Sequence, residues 1–98
     1  LLGLAFVGSI NADTPRPARQ NELLYLLHQD CGACHGSLLK GGLGPSLLPE
    51  RLKSMPEAAL IQTILNGRPG TPMPPWRTFI NEAEAAWLVK RLKTGATQ

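Results

Sequence analysis

Apolar and polar positions divide the chain unevenly. Leu1 to Ile10 is apolar or small throughout and carries no charge, unlike anything that follows. Asp13 to Arg19 holds two prolines and two arginines and reads as a tether. Leu23, Leu24, Tyr25, Leu26 and Leu27 crowd too closely for a one-sided helix, yet they run on without a breaker, which predicts a first helix over 20–30. Four glycines between Gly36 and Gly44, closed by Gly44-Pro45-Ser46-Leu47, predict a loop.

Ser54-Met55-Pro56-Glu57 has the form of a helix start, with a serine cap, an early proline and a glutamate three residues after the cap. Leu60, Ile61, Ile64 and Leu65 continue it as an apolar stripe, and Gly67 can end it in a left-handed conformation. Asn81 with Glu84 is a second cap signature, with Ile80 placed to pack back on the first turn. Ala85, Leu88, Val89 and Leu92 give that last helix an inward face to about Lys93, flanked by Trp87, and leave 94–98 as a frayed tail. No segment alternates with period two, so the expected fold is all-α.

Length and composition add a constraint. A chain of 98 residues supports one small domain, a size at which burial often needs a cofactor or a cross-link. Its only aromatic residues are Phe6, Tyr25, Trp76, Phe79 and Trp87. Something else must supply large apolar surface. A macrocycle burying on the order of 500 Å² would contribute roughly 10 kcal/mol, comparable with the whole stability of such a domain.

The only two cysteines stand in Cys31-Gly32-Ala33-Cys34-His35. This spacing is that of a c-type haem attachment site. On a helix, Cys31, Cys34 and His35 share one face, so two thioethers and one imidazole can meet one flat ring. A thioredoxin-like dithiol would need strand and helix alternation, which is missing. Zinc would need four ligands, but His28, Cys31, Cys34 and His35 complete the inventory and lie within eight consecutive residues. A Cys31–Cys34 disulfide would close too short a loop to restrain the unfolded chain. His28, one turn before Cys31, reads as a partly exposed helix histidine.

With this motif, the loop and the helices around it, the stretch from Gln20 to Lys93 resembles a small class I cytochrome c. The resemblance implies three to five helices wrapped around one covalently attached haem c, over a domain of residues 20–98. It implies that His35 is the proximal iron ligand and that the Pro45 carbonyl accepts a hydrogen bond from its imidazole. Arg68-Pro69-Gly70-Thr71-Pro72-Met73-Pro74-Pro75-Trp76 is a stiff loop presenting one thioether. Met73 matches the family's methionine-proline pair and is the expected second ligand; Met55, at a helix start, is its competitor. Trp76 and Phe79 are expected to wall the haem, with Trp76 or Arg77 donating to a propionate. The last helix is expected to cross the first near Leu24 and Leu27.

Residues 1–12 look like the end of a signal-peptide apolar region with a cleavage position near Ala12, an uncleaved anchor being the alternative. The tether is 13–19. Either reading sends the domain across a membrane, and the bacterial resemblance makes the compartment the periplasm, with no stable membrane insertion once a leader is removed.

The net charge of +3 is partly helix-end charge, since Lys90, Arg91 and Lys93 close a helix opened by Glu82 and Glu84. Between Gly36 and Ile80, Lys40, Arg51, Lys53, Arg68 and Arg77 outnumber Glu50 and Glu57, so a basic rim could steer an acidic redox partner. Nothing suggests nucleic acid.

The expected function is single-electron transfer without bond chemistry on a substrate. The short chain and the Met73 loop are similar to the monohaem cytochromes associated with dissimilatory nitrite reductase in denitrifying bacteria, implying the reductase or its haem-maturation proteins as partners. A gas sensor or small haem enzyme with an open axial site and an assembly protein are the alternatives. A monomer is expected, and a domain-swapped dimer remains open.

Overall fold

A computed structural model describes residues 14–98. The expected leader, its cleavage position and the first tether residue lie outside that range.

The tether is shorter than expected. Helix α1 spans Pro17–Leu26, with Pro17 in the first turn, where its missing N–H costs nothing. It passes into a π-helical turn, Leu27–Cys31, and then into the short helix α2, Gly32–His35. The first helical run is therefore longer at both ends than 20–30. Its single widened turn ends on the first of the two cysteines, Cys31.

After the glycine loop comes an unanticipated short helix, α3 (Pro49–Leu52), followed by α4 (Glu57–Asn66) and α5 (Glu82–Thr94). Helix α4 starts later than its sequence suggests. Its N-cap is Pro56 in extended conformation, and Ser54 makes no cap bond. The physical reason is local: a residue preceding proline is steered away from helix, so Met55 cannot enter the first turn. Helix α5 starts as expected, with Glu84 N–H donating to Asn81 Oδ1 at 2.8 Å and Asn81 N–H to Glu84 Oε1 at 3.0 Å.

Helix α5 packs against α4, α3 and α1. Its Ala85, Leu88, Val89 and Leu92 are buried, as are Leu23 and Leu27 from the first helical run, Leu52, Leu65 and Ile80. Leu24 is only partly buried beside this core, so Leu23 rather than Leu24 joins Leu27 at its centre. Arg19 ties α1 to the start of α5, donating from Nε to Glu84 Oε2 at 2.8 Å and from Nη2 to the Phe79 carbonyl at 2.8 Å. The guanidinium holds the Glu84 carboxyl below its ordinary range.

The expected frayed tail is pinned. Gly95 ends α5 in a left-handed conformation, Ala96 N–H reaches back to the Arg91 carbonyl at 3.0 Å, and His28 Nε2 donates to the Thr97 carbonyl at 2.6 Å. His28 is thus a tail latch on the π turn. Among the described residues, no helix is long and apolar enough to cross a membrane.

Candidate functional site

Cys31, Cys34 and His35 all border one cleft of about 290 Å³ at the centre of the helices. Their helix ends in carbonyls that need donors, and the glycine loop supplies them. Gly44 N–H donates to the Cys34 carbonyl at 2.8 Å and Gly41 N–H to the His35 carbonyl at 2.7 Å. Such close crossing leaves no room for side chains: a Cβ at Gly36 would lie 2.6 Å from the Gly41 carbonyl oxygen. Within this loop Leu39 takes φ 61°, an unfavourable conformation for a leucine, while its side chain is buried in the core.

His35 is oriented on one side by Pro45. Its Nδ1–H donates to the Pro45 carbonyl at 2.7 Å, which leaves Nε2 with its lone pair free for a metal. On another side Gly44 lies flat against the ring, where a Cβ would come within 2.8 Å of Cε1 and Nδ1. Burial, reinforced by the Asp30 carboxylate, pushes the Cys31 thiol up to about 11; Cys34 is exposed.

Met73 borders the same cleft from the other end of the chain fold, with Pro72 and Pro74 beside it. Met55 borders it as well, its backbone carbonyl held by Lys93 Nζ at 2.6 Å. The apolar walls come from several elements, among them Leu27, Leu52, Leu60, Ile64, Leu88 and Val89. Trp76 also lines the cleft.

Phe79 and Arg77 depart from expectation. Phe79 does not line the cleft; it is 63% exposed and packs a tilted ring against Trp76 at 5.9 Å between centroids. Arg77 does not line it either, because Asn66 Oδ1 accepts from its Nη2 at 2.7 Å and holds it outside. The basic side chains bordering the cleft are Arg51 and Arg68. Sequence reasoning passed over them as members of a diffuse basic rim, although Arg68 opens the methionine loop and that position was a usable signal. Leu43, also on the cleft border, is 93% exposed.

The residues fit a haem. The cleft is apolar on its walls, holds both free thiols and one imidazole nitrogen without a protein partner, and carries the guanidinium groups of Arg51 and Arg68, which could pair with acidic substituents.

Comparison with known proteins agrees. Residues 18–90 match the family described as cytochrome c oxidase, cbb3-type, subunit III. The chain is 54% identical over 81 residues to cytochrome c55X of Pseudomonas aeruginosa, covering 83% of this chain and 68% of that one. A solved c-type cytochrome NirC superposes with a TM-score of 0.83 at 52% identity, over 85% of this chain and 98% of that one. The dihydro-heme d1 dehydrogenase NirN, solved in complex with DHE, matches with a TM-score of 0.64 at 42% identity, over 70% of this chain and 15% of that one. Cysteine spacing, cleft and these likenesses agree that the chain belongs to this family of c-type cytochromes, as an all-α electron-transfer protein with covalently attached haem c.

Proposed function

We propose that His35 and Met73 are the two axial ligands of the haem iron, and that the protein is a periplasmic electron carrier serving nitrite reductase or the maturation of its haem. The observation that carries this reading is the meeting of His35 Nε2, Met73 and both cysteines on one apolar cleft. When bound, the haem supplies a one-electron ferrous/ferric couple.

The chain's own residues set the terms of that couple. Cys31 and Cys34 anchor the ring through thioethers. The Pro45 hydrogen bond keeps the His35 imidazole aimed and makes it a stronger base. The Met73 thioether is soft and neutral, so it favours the reduced state and fills the position a gas or substrate would need. Arg51 and Arg68 give the propionates cationic neighbours, the role that Arg77, held on Asn66, leaves to them. Leu38 and Leu43, both exposed beside Lys40, offer a small apolar surface in a basic setting for a transient acidic partner.

The narrower assignment draws on the relatives. A dehydrogenase removes electrons in pairs, and a single-haem carrier accepts them one at a time; the likeness to a domain of a dihydro-heme d1 dehydrogenase supports a place beside that chemistry. We read the protein as a monomer with Met73 in its own cleft, which size-exclusion chromatography across a concentration series checks.

The deciding experiment on ligation is absorption spectroscopy of the oxidised and reduced holoprotein, with a carbon monoxide titration. A near-infrared sulfur-to-iron band that disappears in Met73→Ala, with no carbon monoxide binding by the reduced wild type, is the expected result. Ready carbon monoxide binding and no such band would overturn it in favour of an open iron site.

A further inference from the structure

The loop bearing Met73 is fastened at its exit to the C-terminus of α4 and closed on itself at its entrance. At its exit, Trp76 N–H donates to the Ile64 carbonyl at 3.0 Å and Arg77 N–H to the Leu65 carbonyl at 3.2 Å. These are helix-end carbonyls that no following turn of α4 can satisfy. At its entrance, Arg68 N–H donates to the Met73 carbonyl at 3.1 Å. Inside, the Thr71 hydroxyl donates to the Arg68 carbonyl at 2.6 Å and accepts from Met73 N–H at 3.3 Å. The loop closes on a single residue, Gly67.

Gly67 has φ 69° and ψ −172°, a region that side-chain-bearing residues essentially never occupy. A Cβ there would lie 2.7 Å from the Met73 carbonyl oxygen, 2.7 Å from the Pro74 carbonyl carbon and 2.8 Å from the Pro75 nitrogen. All three are backbone atoms of a proline-stiffened segment, so none can swing aside as a side chain would. Gly70 makes an internal control. It lies in the same loop with φ 79°, yet nothing stands within 4 Å of its would-be Cβ.

We propose that Gly67 is the positioning residue for Met73: the bare α-carbon is the seat on which the Met73-Pro74-Pro75 backbone rests, and it sets how far the thioether reaches into the cleft. The inference rests on Met73 being an iron ligand. Adding one methyl at Gly67 displaces the ligand-bearing backbone, whereas adding one at Gly70 strains the loop locally without pushing Met73.

The test compares Gly67→Ala, Gly70→Ala and Met73→Ala as full-length holoproteins. Haem content and far-ultraviolet circular dichroism report folding, and the near-infrared band, midpoint potential and carbon monoxide binding report ligation. In Gly67→Ala the band is expected to be lost or strongly reduced, the potential to fall and carbon monoxide to bind, with haem content and helicity kept. Gly70→Ala should keep the wild-type band and potential. A Gly67→Ala protein with unchanged band and potential, alongside a Met73→Ala protein that has lost them, overturns the inference and leaves Met73 ligation standing. If Met73→Ala itself keeps the band, ligation by Met73 fails and the inference with it. If Gly67→Ala yields no folded holoprotein, Thr71→Ala decides, because it removes the hydroxyl bonds that hold Met73 and Arg68 in the loop resting on Gly67 without adding a clash: carbon monoxide binding that the wild type lacks supports the inference, and its continued absence with an unchanged band overturns it.

Discussion

The glycine loop after the cysteines and the proline loop around Met73 border the same cleft, but they are built on opposite principles. The glycine loop gains its shape by close backbone crossing: Gly41 and Gly44 bond the carbonyls of the cysteine helix, and Gly44 lies against the imidazole it helps to hold. The proline loop is stiff because Pro72, Pro74 and Pro75 restrict their own backbones and their neighbours', and it needs outside fastening to α4 because prolines donate no hydrogen bonds. One loop is therefore a local extension of the element that carries His35. The other depends on a separate helix being in place. Damage to the first should alter the imidazole while leaving the methionine alone, and damage to α4 or its end should do the reverse.

The largest effect removes what both loops surround. The Cys31→Ala, Cys34→Ala double variant is expected to lose stable haem and with it most of the ordered helix, seen as a weak helical circular dichroism signal without a sharp melt. A native spectrum with a cooperative transition would mean that the helices hold the cleft open unaided.

A smaller, one-sided effect is expected from Gly44→Ala. The added methyl meets His35 at 2.8 Å and should tilt the ring off the Pro45 carbonyl. With that bond weakened the imidazole becomes a poorer donor to ferric iron, so the midpoint potential should rise while the sulfur-to-iron band persists. Loss of the band instead would show that the two loops are mechanically coupled.

The smallest effect lies away from the cleft. Arg19→Ala removes the tie between α1 and the α5 cap and should lower stability by about 0.5–1 kcal/mol at neutral pH, the scale of a partly exposed ion pair. Glu84 is held below its ordinary pKa by Arg19, so this stabilisation is present above the ordinary glutamate range and is lost as the pH falls through it toward the lowered value. Thermal melts of wild type and Arg19→Ala should converge in acid, with the ligation spectra of the two proteins identical at neutral pH.

Much of the architecture could be read from local patterns because local chemistry decides it. The Asn81–Glu84 box, the apolar face of α5 and the grouping of Cys31, Cys34 and His35 on one helix each need only a few neighbouring residues. Where the reading failed, a distant partner or a backbone veto intervened. Ser54 lost its cap role to the rule governing residues before proline at Met55. The tail over 94–98 was expected to fray because nothing nearby holds it, yet its partner is His28. The expected propionate contact of Arg77 competes with a partner that only the folded chain supplies, Asn66. The π turn has no sequence signature at all.

The two ties between the chain's ends also impose an order of events. Arg19 meets Glu84 and His28 meets Thr97 across 65 and 69 positions of sequence, and both contacts straddle the cysteine helix. Each contact closes a loop of chain that contains both cysteines, so the segment carrying the thiols is held from its two flanks by ties of long sequence separation, the kind whose formation must wait for loop closure.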